Sequence, residues 1–160
     1  MSTSAFRALV RHPLKFRLFL MTKLPAAWCA GLRVQALSEA ACTVTVPYKW
    51  FNRNPFGSIY FACLSMAAEL STGALCMQYI YRSRPAVSML VVAQEGRFFK
   101  KATGLIRFTC ADGAAIAAAV ARAVETGEGQ TVTARSSGLN TQNESVAEFS
   151  FTWSFKARPA

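Results

Sequence analysis

The chain has 160 residues, 52% hydrophobic and 12% aromatic, with a formal net charge of +10. That length is one domain with apolar side chain enough for a real core, which excludes a disordered or solvating segment. A single histidine, His12, excludes a histidine-rich metal site, and five cysteines without paired spacing read as small buried residues of a reducing compartment, neither a zinc set nor a disulfide frame.

The N-terminal segment is basic. Arg7, Arg11, Lys15, Arg17, Lys23 and Arg33 all precede the first acid, Glu39. Phe6, Leu9, Val10, Leu14, Phe16, Leu18, Phe19, Leu20 and Leu24 lie between them, which predicts an amphipathic helix after Pro13. Three roles compete for it: packing on the domain with a basic edge in water, lying on a membrane surface through residues 1–25, or serving as a nucleic-acid arm. No binding motif accompanies the last, so no nucleic-acid partner is expected. Charges interrupt the apolar run throughout, which argues against a secretory signal. The segment is assigned to residues 1–27, and a single domain to residues 28–160.

Gly31 to Leu37 reads as a short strand. Cys42 to Tyr48 reads as a clearer one, with Val44 and Val46 alternating with Thr43 and Thr45 and Pro47 marking its end. Lys49 to Pro55 is a loop that delivers the chain to a long apolar helix, with Ser58 as its candidate N-cap. Arg82 to Pro85 break that helix. Ala86–Ala93 and Phe98–Thr109 are read as strands with Glu95-Gly96 between them, and Gly113–Glu125 as a short helix carrying Ile116, Val120 and Val124 on one side. Thr131–Ser136 is a strand and Gly138–Asn143 a turn. The last strand sets Phe149, Phe151, Trp153 and Phe155 against Glu148, Ser150, Thr152, Ser154 and Lys156, one face for a core and one for water. This order predicts an α+β domain: a curled antiparallel sheet around one long apolar helix, preceded by an amphipathic helix.

Glu69 is the one charge between Arg53 and Arg82. A carboxylate inside such a run loses solvation and is pushed toward the neutral acid, which makes it the first suspect for chemistry. The segment is long enough to span a bilayer, but Glu69, Ser58, Ser65, Ser71, Thr72, Gly73 and Gln78 favour a buried helix over a membrane span. At helical spacing, Ser58, Ala62, Ser65, Glu69, Thr72 and Cys76 form one narrow stripe of small and polar side chains, where a ligand or a second subunit comes close. Glu69 can instead be structural, bonded across a subunit interface or paired with an arginine.

With these elements and residues the chain resembles the hotdog fold. It is similar to acyl-CoA thioesterases of the phenylacetate-pathway type, and closer to an uncharacterised bacterial hotdog-like family. The resemblance covers roughly residues 28 to 157. Its anchors are Asn54 before the central helix, Glu69 fifteen positions later, and the basic strand-turn Phe98-Phe99-Lys100-Lys101-Ala102-Thr103-Gly104. The thioesterases carry His-Gly at the helix entrance; this chain carries Tyr60 and Phe61, which removes a substrate-positioning group.

The resemblance implies thioester hydrolysis on coenzyme A or an acyl carrier, without metal or cofactor. Glu69 would be the general base, and Asn54 would hold the water or the carbonyl oxygen. Helix-entrance amides near Tyr60 and Phe61 would polarise the carbonyl, with Gly57 and Ser58 beside them. Ser65 and Thr72 would orient the carboxylate, and Lys100, Lys101 and Arg107 would offer charge to the phosphates. The resemblance further implies a homodimer or tetramer with a site between subunits. The expected location is the cytoplasm, including the periphery of the inner membrane. The other reading is a non-catalytic protein that binds fatty acyl chains or lipid.

Overall fold

A computed structural model describes residues 2–158. Met1, in the membrane-contact segment, and Pro159-Ala160, at the end of the predicted domain, lie outside the described residues. The elements run α1 (Ser2–Arg11), α2 (Pro13–Lys23), α3 (Pro25–Cys29), β1 (Arg33–Leu37), β2 (Cys42–Val46), α4 (Phe61–Ile80), β3 (Val87–Phe98), β4 (Ile106–Cys110), α5 (Gly113–Thr126), β5 (Gln130–Leu139) and β6 (Ser145–Ala157). A 3₁₀ turn at Trp50–Asn52 leads toward α4. The six strands form one antiparallel sheet in the order β1-β2-β4-β5-β6-β3, curled around α4. This is the predicted hotdog architecture.

α4 is apolar nearly all round because it is enclosed nearly all round. Cys63, Leu64, Ala67, Leu70, Ala74, Leu75 and Cys76 are buried among strand side chains that include Val44, Phe108, Phe149 and Phe155. Fully burying one such leucine contributes about 1.5–3 kcal/mol, so this helix is the centre of the core energetically as well as spatially. Two of its interior polar side chains are bonded: Ser71 Oγ donates to the Ala68 carbonyl and meets Ser136 Oγ, both at 2.7 Å, and Gln78 Nε2 donates to the Ser38 carbonyl at 2.9 Å. β6 keeps the predicted alternation, burying Phe149, Phe151, Trp153 and Phe155. α5 buries Ile116, Val120 and Ala123 and ends at Gly127 in the left-handed conformation; Val124, read as part of the buried side, is exposed.

Two glycines overturn strand boundaries. Glu95-Gly96 is not a turn: β3 pairs with β6 without a break there, with Gly96 opposite Phe149. A Cβ on Gly96 would lie 2.7 Å from Phe149 Cε1, so the glycine gives the ring its space. Gly138 repeats the device inside β5, opposite Phe108, where a Cβ would lie 2.5 Å from Cε1; the turn begins only after Leu139. The strand predicted over Phe98–Thr109 is likewise shorter. Phe99 to Leu105 form a loop, and β4 starts at Ile106.

The N-terminal segment is three helices rather than one. His12 ends α1 and caps α2, its Nδ1 accepting the Lys15 amide at 3.5 Å, with Pro13 in the first turn. Phe6, Phe16 and Leu20 enter the main core, and Arg7 pairs with Glu39 at 3.0 Å. The segment therefore packs on the domain. No helix among the described residues is long and apolar enough to cross a membrane.

Candidate functional site

The entrance to α4 is built from its loop. Asn54 Oδ1 accepts the amides of Phe56 at 3.0 Å and Ser58 at 3.2 Å, and its Nδ2 donates to Ser58 Oγ at 3.0 Å. This ties the turn that contains Gly57, whose φ of +74° suits a residue without a Cβ. Ser58 therefore belongs to the loop. The N-cap is Tyr60, with no side-chain capping bond. Buried Asn52, read from sequence only as loop, clamps the approach from behind, donating to the carbonyls of Ala30 at 2.8 Å and Pro47 at 2.7 Å.

Tyr60 cannot supply a free amide, because its N–H donates to the Asn52 carbonyl at 2.6 Å. The Cys63 amide is satisfied by the Tyr60 carbonyl at 2.9 Å. Helix geometry leaves the first-turn N–H groups of Phe61 and Ala62 without intrahelical acceptors. Phe61 borders a cavity of about 500 Å³, together with Asn54, Tyr60, Phe98, Phe99 and Lys101 among others.

Glu69 lines a different cavity, of about 310 Å³. Phe6, Phe16, Phe19 and Leu24 wall it from the N-terminal helices, Met77 and Met89 from α4 and β3, and Trp153 from β6. Burial alone pushes the Glu69 carboxyl up to about 6, with no hydrogen bond or neighbouring charge contributing. Lys23 also lines the cavity but forms no salt bridge with it among the described residues. Gly73, one turn on, leaves the carboxylate its room: a Cβ there would lie 3.2 Å from Glu69 Oε1 and 3.4 Å from the Trp153 ring.

The other predicted residues sort differently. Thr72 does not orient the carboxylate; its hydroxyl donates to the backbone carbonyl of Glu69 at 2.9 Å and accepts Trp153 Nε1–H at 3.0 Å. Ser65 is half-buried one turn before Glu69. Lys100 is held by Glu144 at 2.7 Å, whose carboxyl that contact draws down. Lys101 donates to the Phe56 carbonyl at 3.2 Å and borders the entrance cavity. Arg107, on β4, bonds Asn143 Oδ1 at 2.7 Å and does not border that cavity. Burial raises the thiols of Cys42 (to about 12), Cys63, Cys76 and Cys110 (to about 11), so they stay protonated and are no nucleophiles. Among the described residues no group of three metal-ligating side chains comes together.

Within one chain, then, the site is in two pieces. Asn54, Ser58, Tyr60, Phe61 and Lys101 gather at the helix entrance, while Glu69 stands eight residues further on, about 12 Å along the axis at 1.5 Å per residue. Sequence reading missed Gly73, Trp153 and the N-terminal aromatics around Glu69. For Gly73 a signal existed, a glycine four positions after the lone carboxylate on one helical face.

The sequence family described as Domain of unknown function (DUF4442) matches residues 14–155. No curated protein matches the chain. Among solved structures, a Pseudomonas aeruginosa protein of unknown function and probable thioesterase, PA5026, is similar at 24% identity with a TM-score of 0.76, covering 99% of this chain and 97% of its own. The thioesterase HI1161 from Haemophilus influenzae is similar at 9% identity and a TM-score of 0.64, over 91% of this chain and 90% of its own. The Escherichia coli PaaI protein of the phenylacetic acid degradation operon is similar at 13% identity and a TM-score of 0.63, over 95% of this chain and 97% of its own. These likenesses show the fold.

Proposed function

The chain belongs to the DUF4442 family and has the hotdog fold of thioesterase-like proteins, and we propose that it hydrolyses a thioester carried by coenzyme A or an acyl carrier protein, with Glu69 as general base. The observation that carries this reading is the Glu69 carboxyl, unpaired among the described residues in an apolar cavity and pushed up to about 6. At neutral pH such a group is mostly ionised and still a stronger base than an ordinary carboxylate, which suits it to take a proton from water. The aromatic and methionine walls fit an acyl chain or an aryl group. In the reaction, water loses its proton to Glu69 and attacks the carbonyl carbon. The oxyanion is held by the Phe61 and Ala62 amides, and the C–S bond breaks as the leaving thiolate takes the proton that Glu69 holds, which restores the base.

Those amides and Glu69 are too far apart in one chain to act on one carbonyl. We therefore read the protein as a two-fold homodimer in which each site takes its helix entrance from one copy and Glu69 from the other. Two features support that arrangement. β3 is a 12-residue edge strand whose outer side pairs with nothing among the described residues. Leu90 and Val92 on β3, and the Phe61–Phe98 pair at the far end of that strand, are large exposed apolar side chains. Lys101 is the cation best placed to meet coenzyme A phosphates, since Lys100 is already paired.

The experiment is complementation, following thiol release from a panel of aliphatic and aromatic acyl-CoAs. Phe61→Pro removes one entrance amide at a position where proline suits a helix, and Glu69→Gln removes the base. Each variant alone should be at least about 10²-fold slower than wild type. Mixed and reassembled, they should regain activity, because mixed dimers hold one intact site. No turnover by wild type would overturn the hydrolase reading. Turnover without complementation would overturn the shared site. The second reading, acyl binding without turnover, draws on the half-exposed Phe61 ring, which packs on Tyr60 and borders the entrance cavity.

A further inference from the structure

α2 is apolar on two opposite faces, and only one has a partner. Phe16 and Leu20 are buried in the domain core, with Phe19 packed beside them. On the other side Leu14, Leu18 and Met21 are exposed by 76%, 56% and 44%. Their spacing of four and three places them on one stripe. A helix that merely packs on a domain turns polar side chains to water.

The charge around the stripe is of one sign. Arg11 and Lys15 are exposed beside it, and Lys23 is exposed at the end of the helix. Arg17 lies along its flank with its guanidinium over the Trp28 ring at 5.4 Å. None of the four forms a salt bridge with a carboxylate among the described residues. The first acid of the chain, Glu39, is already paired with Arg7. A second copy of the chain placed on this face across a two-fold axis would set cation against cation, so self-association is opposed.

We propose that the outer face of α2 docks on an anionic lipid bilayer, lying in the plane of the surface with Leu14, Leu18 and Met21 below the headgroups and Arg11 and Lys15 among their phosphates. Leucine, methionine and basic side chains on one exposed helical stripe match the chemistry of that interface. The fold supplies what a free peptide lacks. Because the inner face of α2 is fixed in the core, the helix is formed before it docks and no folding entropy opposes binding. The inner face also contributes Phe16 and Phe19 to the wall of the Glu69 cavity, but docking does not depend on any chemistry there.

The test is co-sedimentation of the full chain with vesicles of 7:3 phosphatidylcholine to phosphatidylglycerol and with pure phosphatidylcholine. Binding is expected on the anionic vesicles and weakened by 0.5 M salt, since one surface cation gives about fivefold in partition. Leu14→Gln with Leu18→Gln should lower partition at least about tenfold at unchanged melting temperature, because both side chains are already in water. Lys15→Glu should lower it on anionic vesicles. Failure to bind either vesicle overturns the proposal. Binding untouched by the leucine changes also overturns it, by showing adsorption through net charge alone. So does concentration-dependent self-association that the leucine changes abolish in the absence of lipid, which would assign the face to a protein contact.

Discussion

Glu69→Gln takes a charge out of a cavity that gives it no partner among the described residues. Burial raises the folded-state value to about 6 from 4.5, so the folded protein holds that proton more tightly than the unfolded chain does. Below about pH 4.5 the carboxyl is neutral in both states and its burial carries no charge penalty. Between about 4.5 and 6 the unfolded chain ionises first, and stability falls as pH rises through this window. Above about 6 the penalty is complete, and a shift of that size corresponds to about 2 kcal/mol. The glutamine variant loses this dependence. Urea denaturation of both proteins at pH 4 and pH 8, at one fixed protein concentration, isolates the effect, because every other titrating group cancels in the difference. The variant should gain about 2 kcal/mol on wild type between the two pH values. Parallel pH dependences would refute the unpaired, buried carboxylate. A variant about 3–5 kcal/mol less stable at pH 8 would mean that Glu69 had neutralised a buried cation, the structural role instead of the chemical one.

Gly73→Ala should leave stability near wild type, the gain in helix propensity offsetting a Cβ set 3.2 Å from Glu69 Oε1, while kcat/KM falls as the carboxylate is displaced; thermal melts and thiol release check the two halves. Gly96→Ala places a Cβ 2.7 Å from the Phe149 ring and should cost about 1–3 kcal/mol in chemical denaturation. Trp153→Phe deletes the donor to Thr72 and should cost about 1–2 kcal/mol, with a shift in acyl preference because the ring also walls the Glu69 cavity. Leu90→Lys with Val92→Lys should yield a monomer in sedimentation velocity and, with it, loss of turnover; an unchanged dimer would move the interface away from β3.

The sequence made the sheet-and-helix plan legible because its strongest patterns are local. Strict alternation in β6 and a twenty-residue apolar run with one acid need no tertiary information, and the structure keeps both. Gly96 and Gly138 misled for a physical reason: a glycine that frees space for a ring across the sheet has the same local signature as one that turns the chain, and Phe149 and Phe108 lie far away in sequence. Glu69 was legible as an isolated charge, and the direction of its shift followed from burial. The identity of its walls was not, since Phe6, Phe16 and Trp153 reach it from opposite ends of the chain. Asn54 kept its interval to Glu69, but the loop bonds that occupy its carboxamide depend on Phe56 and Ser58 turning back on it. The separation of the helix entrance from Glu69 was implicit in the helix itself, at eight residues along one axis.

The most direct measurement is the pH dependence of kcat/KM for acyl-CoA hydrolysis by wild type and Glu69→Gln at matched protein concentration. The account predicts a wild-type rate that rises with pH through about 6 and levels above it, as Glu69 becomes the free base. It predicts that the glutamine variant, equally well folded, lies about 10²–10⁴-fold lower at the plateau and lacks that ascending limb. A folded Glu69→Gln protein with the wild-type rate and profile would contradict it.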